Sequence, residues 1–342
     1  MSFGQNSTQP PWVVLVDAGG SKTAAALASV DSGRVTIRSR GQSGPGNPVA
    51  AGWQIGCRNW EEAIKTAGEG LGQFSQWRTD VSYVVLAAAG AGRPETASEA
   101  LRWCAQQFPR ATSAVLPDIA AVLAAVNADG AGIALVAGTG SLAWGVNRTG
   151  QVARCGGWGF FLGDEGGAAW IGREALVAVT KARDGLLSPT LLTHEILRTI
   201  GLPSPSELVN WVQNAWQQPR TIAALAQIVV KCASAGDEVA AEILNRGSDY
   251  LAQLAACVAH KLGWRPPDLS VALGGGLFVH VPAYREKVVQ KLNERGWVPS
   301  SQLAEDPLLG AARIAENLLV TYKWRHWSFA AIYRPNHKSP QP

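Results

Sequence analysis

The stretch Trp12-Val-Val-Leu-Val-Asp17-Ala-Gly-Gly-Ser-Lys-Thr23 decides how the rest of the chain is read. Residues 12–16 are an apolar run, which predicts a buried strand. The run stops at Asp17-Ala18-Gly19-Gly20, a tight turn. Residues 24–29 and 34–39 read as two further strands, so the turn leads from strand to strand in a β-meander. Glycines there permit positive φ and a close backbone approach, and successive N–H groups can face an anion. Ser21 and Thr23 add hydroxyl donors, and Lys22 adds a charge. A P-loop is excluded, because the Gly-x4-Gly-Lys frame is missing and no helix follows. Asp17, at the strand end, is placed to hold hydrated Mg²⁺ beside phosphates, since magnesium prefers oxygen ligands and keeps its waters. The alternative for the whole segment is a plain hairpin turn.

Outward from this stretch, residues 50–74 have helical spacing, 81–88 read as a strand and 95–108 as an amphipathic helix with Pro94 in its first turn. The pattern then restarts. Residues 114–116 form a short strand, 118–127 a helix, and 133–137 a strand that ends in Gly138-Thr139-Gly140-Ser141 before another strand at 142–146. A strand, glycine turn, strand unit thus occurs twice, an internal repeat at the level of architecture. Two such turns could close on one triphosphate from both sides. Residues 167–262 read as mostly helical. Residues 269–273 form a last strand, ending in Gly274-Gly275-Gly276, where a backbone could lie against a nucleoside. Helices are expected over 281–295 and 306–319, and a Trp- and Arg-rich appendage from Tyr322. Strands alternating with helices predict an α/β fold with open sheets, in two domains with a ligand-binding cleft between them.

Two acidic positions stand out. Asp118 follows Pro117 at a strand end and opens a helix. That place suits an N-cap, and equally a general base aimed into a cleft. The segment Gly156-Gly-Trp-Gly-Phe-Phe-Leu-Gly-Asp164-Glu-Gly-Gly167 packs six glycines and two acids into twelve residues. It is a poor helix or strand. Ligand contact explains it best, with the acids bonding to hydroxyls and Trp158 as an apolar wall; the bland reading is a structural loop capped by Asp164.

Composition bounds the rest. The chain has 342 residues, 47% hydrophobic and 16% charged, with a formal charge of +4. That fits a globular protein with room for two cores. Lys and Arg are scattered, so no nucleic-acid stripe is expected. The five cysteines are odd in number and contain no CxxC pair, which points to reduced thiols and a cytoplasmic location. The N-terminus lacks the basic start and apolar region of a secretory signal, and no apolar run is long enough to span a membrane. The five histidines show no metal spacing.

Taken together, DAGGSKT, VAGTGS, GGWGFFLGDEGGAAWIGREAL, VALGGGL and DPLLGAARIA resemble the N-acetylglucosamine kinase branch of the BadF/BadG/BcrA/BcrD ATPase family, from about Trp12 to about Leu319. The resemblance implies two ribonuclease H-like (actin-like ATPase) domains, residues 12–118 with 306–322 and residues 119–305, flanked by tails at 1–11 and 323–342. It implies ATP and Mg²⁺ as cofactors and phosphorylation of the 6-hydroxyl of an amino sugar. N-acetylglucosamine is the leading acceptor, with glucosamine and N-acetylmuramate as alternatives. Gly19, Gly20, Ser21, Lys22 and Thr139 would meet ATP phosphates, and Gly275 and Gly276 the adenosine. Asn47, Ser141, Gly157 and Asp164 would meet the sugar, and Asp118 would be the base. Two departures lie near the sugar: Pro48-Val49 where animal members carry Trp, and Gly167 where many members carry Ser. The expected partners are ATP and the amino sugar, with no nucleic acid and no membrane, and the expected assembly is a homodimer. The runner-up reading is an activator ATPase coupled to an iron–sulfur protein, with Cys155 as the nearest candidate ligand; a non-catalytic sugar sensor is the third.

Overall fold

A computed structural model describes residues 11–71, 77–216 and 218–335. The chain divides into two compact units, one made of residues up to 130, 148–150 and from 306 onward, the other of 131–147 and 151–305.

In the first unit the strand predicted at 12–16 extends over β1 (Trp12–Ala18), followed by the antiparallel β2 (Thr23–Asp31) and β3 (Arg34–Ser43). Two helices follow, α1 (Pro48–Ala51) and α2 (Trp53–Glu69), where one helical stretch over 50–74 was expected; α2 stops at Glu69 with Gly70 as its C-cap, and residues 72–74 lie outside the described residues. Then come β4 (Val81–Ala88), α3 (Pro94–Gln107), β5 (Thr112–Pro117) and α4 (Asp118–Val126). β4 and β5 run parallel to β1. β1 is central and apolar on both faces, as a strand covered by helices on each side must be. Val14, Val16 and Ala18 join the core with α2 and α3, while Val13 and Leu15 are buried as well. β3, by contrast, has one row of exposed residues and alternates polar with apolar, as a sheet edge does.

The second unit repeats this plan. β6 (Gly132–Ala137), β7 (Ser141–Val146) and β8 (Val152–Gly156) form the meander. A helical stretch follows: α5 (Ala168–Arg183), α6 (Leu191–Ile200), α7 (Leu208–Ala215), α8 (Pro219–Ala223), α9 (Ala226–Ser234) and α10 (Glu238–Lys261). β9 (Asp268–Gly274) then leads through α11 (Gly276–His280) and α12 (Pro282–Glu294) to β10 (Val298–Leu303). The sheet order β10-β9-β6-β7-β8 matches β5-β4-β1-β2-β3 position for position. Both units are therefore ribonuclease H-like α/β folds, as expected. β8 and β10 were not anticipated. Both are polar edge strands, VARCG and VPSSQL, without the apolar run that marks a buried strand.

The chain re-enters the first unit at Asp306, with α13 (Pro307–Ile314) and a π-helical turn over Ala315–Val320. Two expected boundaries differ from this division. The first domain was expected to end at residue 118, but α4 packs against α13 and stays with it, and Arg313 donates to the carbonyls of Ala124 and Ala125. Residues 323–335, expected within a tail, belong to the first unit. β11 (Ala331–Tyr333) adds antiparallel to β5, and buried Trp327 donates its indole N–H to the Gly130 carbonyl at 2.8 Å. Residues 1–10 and 336–342 lie outside the described residues. No described helix is long and apolar enough to cross a membrane.

Candidate active site

In the first unit the predicted residues gather at the C-terminal ends of the parallel strands. The turn after β1 is closed by Gly19 N–H donating to the Lys22 carbonyl at 3.0 Å, and the Gly19 carbonyl accepts from Gly46 N–H at 3.0 Å. That second bond ties the phosphate-type turn to the Gly44-Pro-Gly-Asn47 loop. The loop is pinned from α2, where Asn59 donates to the Pro45 carbonyl at 2.7 Å and buried Trp60 to the Gly46 carbonyl at 2.8 Å. Asn47 is the N-cap of α1. Its Oδ1 accepts from the amides of Val49 and Ala50 at 3.0 and 3.3 Å, which fixes the side chain beside the Gly90 turn after β4. Gly20, Ser21 and Lys22 are exposed at the turn.

Asp118 is the first residue of α4, and the N-cap is Pro117, so the cap reading of Asp118 does not hold. Its carboxylate accepts from the neighbouring Ile119 amide at 2.9 Å. Asp17 feels it: burial and then the Asp118 charge push the Asp17 carboxyl up to about 7, Lys22 opposes, and Asp306 adds a smaller push upward. Asp306 was not among the predicted site residues. It caps α13 through the Leu308 amide at 3.0 Å and pairs with Arg40 at 2.6 Å. Its nearness to Asp17 comes from the return of the chain, which no local pattern reveals.

The donor chemistry around Asp17 is all oxygen and its negative charges repel, a combination that a hard divalent cation relieves. Among the described residues no group of three ligating side chains could hold a metal directly. Carboxylate oxygens of this kind would suit a hydrated Mg²⁺, the ion expected at Asp17.

In the second unit the Gly138–Ser141 turn is the hub. Gly138 N–H donates to the Gly140 carbonyl at 2.9 Å, and the Gly138 and Thr139 carbonyls accept from Ala168 and Ala169 at the start of α5 at 2.8 and 2.9 Å. The Asp164 carboxylate lies directly on Gly140. Asp164 has φ +62°, a left-handed conformation that Asp tolerates better than most residues. Burial pushes its carboxyl up, against backbone N–H donors from Gly159 and Ser141, with Glu165 raising and Arg154 lowering it further. The α5 cap is Gly167, so Asp164 is not a helix cap either. Gly167 sits against the Gly140 backbone, where a Cβ would come within 2.7 Å; local packing accounts for the missing Ser. Ser141 is buried and donates its hydroxyl to the Glu165 carbonyl at 2.7 Å, and the Ser141 carbonyl accepts from Gly157 N–H at 2.9 Å. These two bonds stitch both ends of the glycine-rich loop to the turn. Buried Tyr284, an anchor the sequence did not announce, donates to the Gly166 carbonyl at 2.9 Å.

Gly275 has φ +94°, and a Cβ there would meet the Ala137 carbonyl oxygen at 2.5 Å. The backbone of the turn after β6 thus explains why residue 275 has no side chain. Gly276 starts α11. So Thr139, Ser141, Gly157, Asp164, Gly275 and Gly276 belong to one hydrogen-bonded and packed constellation, and Asp17, Gly19, Gly20, Ser21, Lys22, Asn47 and Asp118 belong to another. Each is an array of backbone donors and carboxylates suited to anions, hydroxyls and proton transfer.

The model of the BadF/BadG/BcrA/BcrD ATPase family matches residues 15–315. An N-acetylmuramic acid/N-acetylglucosamine kinase of Clostridium acetobutylicum is 28% identical over 90% of this chain and 98% of its own. An N-acetyl-D-glucosamine kinase of Dictyostelium discoideum is 26% identical over 88% of this chain and 97% of its own. The solved structure of a candidate N-acetylglucosamine kinase from Porphyromonas gingivalis superposes with a TM-score of 0.69 at 20% identity, covering 89% of this chain and 99% of that one. One from Chromobacterium violaceum does so with a TM-score of 0.64 at 23% identity, covering 89% and 98%. These two likenesses concern the fold.

Proposed function

The chain belongs to the BadF/BadG/BcrA/BcrD ATPase family, and from that premise we propose that it is an ATP-dependent kinase that phosphorylates the 6-hydroxyl of an amino sugar. The observation that carries this reading is the placement of Asp118. It sits at the C-terminal end of β5, within electrostatic reach of Asp17 beside the Gly19-Gly20 turn. A base beside an anion-accepting turn is what transfer of a phosphoryl group to a hydroxyl needs.

In this reading Gly19, Gly20, Ser21, Lys22 and Thr139 receive the phosphates, and Gly275 and Gly276 line the adenosine. Asp17 would hold Mg²⁺ through water, and the ion would supply charge neutralisation at the phosphates. Asn47, Ser141, Gly157 and Asp164 hold the sugar. The fixed orientation of Asn47 and the tethering of Gly157 and Asp164 to the Ser141 turn support that role. Asp118 accepts the proton of the attacking hydroxyl. N-acetylglucosamine is the acceptor that the names of both curated relatives share, and it is the one proposed here; glucosamine and N-acetylmuramate are the alternatives. The working assembly is proposed to be a homodimer in the cytoplasm. An ADP-release assay over a panel of hexosamines tests the reading: sugar-dependent release with N-acetylglucosamine is expected, and no release with any hexosamine would remove the proposal.

A further inference from the structure

We propose that Cys155 and Cys257 form a dithiol modification site, which a low-molecular-weight disulfide oxidises reversibly to an intramolecular bridge that restrains the glycine-rich loop. Cys155 shares the inner face of β8 with Ala153 and packs against the core of the second unit. α10 packs on that strand. Leu254, Cys257 and Lys261 are spaced by three and four residues, so they line one side of the helix. Leu254 lies on Gly156, where a Cβ would come within 3.0 Å of its side chain. Lys261 Nζ donates to the Arg154 carbonyl at 3.0 Å. These two contacts bracket Cys155 along the strand and Cys257 along the helix, so the cysteines face each other, and the Cys155 thiol is hydrogen-bonded to Cys257. Both are free and half-buried.

Side chains that point at each other are the first condition for a bridge. Burial, then the hydrogen bond to Cys257, push the Cys155 thiol up, with Lys261 and the Gly156 amide opposing, so the reduced pair is the resting form. Oxidation proceeds by exchange. One cysteine attacks the small disulfide and releases its first thiol; the other attacks the mixed disulfide and releases the second. Two S–H bonds are lost and one S–S bond forms, and the two electrons and two protons leave on the two small thiols. Cys57 and Cys104, neighbours on α2 and α3, are not equivalent. Cys104 is fully buried, and burial and then Cys57 push its thiol up, so a small oxidant does not reach it. The bridge ends directly before Gly156 and Gly157, both at positive φ (+79° and +70°), which gives the loop freedom to move there. Tying Cys155 to α10 removes part of that freedom from the segment that carries Gly157 and Asp164. That this segment holds the sugar rests on the kinase reading; the bridge itself does not. The contrasting role is packing alone, two small apolar side chains filling the space between sheet and helix.

The experiment incubates the full-length protein with oxidised glutathione and reads intact mass and a non-reducing peptide map. The wild type should lose two hydrogens, the map should join the Cys155 peptide to the Cys257 peptide, and dithiothreitol should reverse both. Glutathione left attached to either cysteine, a link between other cysteines, or no reaction overturns the proposal. Cys257→Ala should abolish the link, and the wild-type comparison stands even if that variant fails to fold. Hydrogen exchange over residues 156–167 should be slower in the oxidised form than in the reduced one; equal exchange overturns the restraint of the loop. Under the kinase reading, kcat/KM for N-acetylglucosamine should fall about tenfold on oxidation, the effect of a misplaced binding loop, and return with dithiothreitol. A fall that also occurs in Cys257→Ala overturns the link between bridge and loop. If no hexosamine is phosphorylated, the sugar-kinase reading has failed separately, and the peptide map and the exchange rates still decide the bridge.

Discussion

The Asp17 carboxyl, raised to about 7 by burial and by like charges, opposes its own ionisation. The sign of its effect on stability follows from linkage. Between the unfolded value near 3.8 and about 7 the folded state binds the extra proton, so this contribution is full below 3.8 and is lost as pH rises through 7. In metal-free buffer, Asp17→Asn should therefore gain in Tm on the wild type as pH climbs from 4 to 7 and hold its advantage above that. A constant difference across the range would show that Asp17 is ionised like any exposed carboxylate. Asp164 makes a second case. Its left-handed backbone and its acceptance of the Gly159 and Ser141 amides both suit Asp or Asn. Asp164→Ala should lose about 1–3 kcal/mol in urea denaturation, because the amide of buried Ser141 and the exposed Gly159 amide lose their acceptor. Asp164→Asn should lose less than half of that, and equal losses would contradict the hydrogen-bonding account.

At the level of elements, α4 is held where it is by its closest approach to α13. A Cβ at Gly310 would overlap the Ala121 carbonyl of α4, so residue 310 sets the spacing of the two helices. Gly310→Ala should cost about 1–3 kcal/mol through overpacking. Because α4 begins with Asp118, kcat should fall alongside Tm; a Tm loss with full kcat would show that the base is positioned by β5 alone. This contact also explains what the sequence could and could not disclose. The turns at Gly19-Gly20 and Gly138–Ser141 are legible, because a glycine turn between apolar runs is local chemistry. The first-domain boundary is not, since α4 is assigned by a contact with a helix far along the chain. Asp306 is hidden for the same reason. β8 and β10 escape notice because edge strands need no apolar run, although the duplicated plan required a third and a fifth strand in the second unit.

For the whole molecule, two copies of one α/β plan carry different sets of groups, Asp17 and Asp118 on one and the tethered Asp164 on the other. Ligands that bind the folded state alone should stabilise it by mass action, about 2.7 kcal/mol at a hundredfold excess over Kd. Differential scanning with Mg·ATP and with N-acetylglucosamine should each raise Tm, and a sugar that leaves Tm unchanged is not an acceptor. The central claim is that Asp118 takes the proton from the sugar hydroxyl. Sugar-dependent ADP release by Asp118→Asn, measured beside calorimetric binding of the sugar and of the nucleotide, tests it most directly. Removal of a general base should lower kcat by about 10²–10⁴-fold while both ligands still bind within a few-fold. Turnover by Asp118→Asn at the wild-type rate would contradict it.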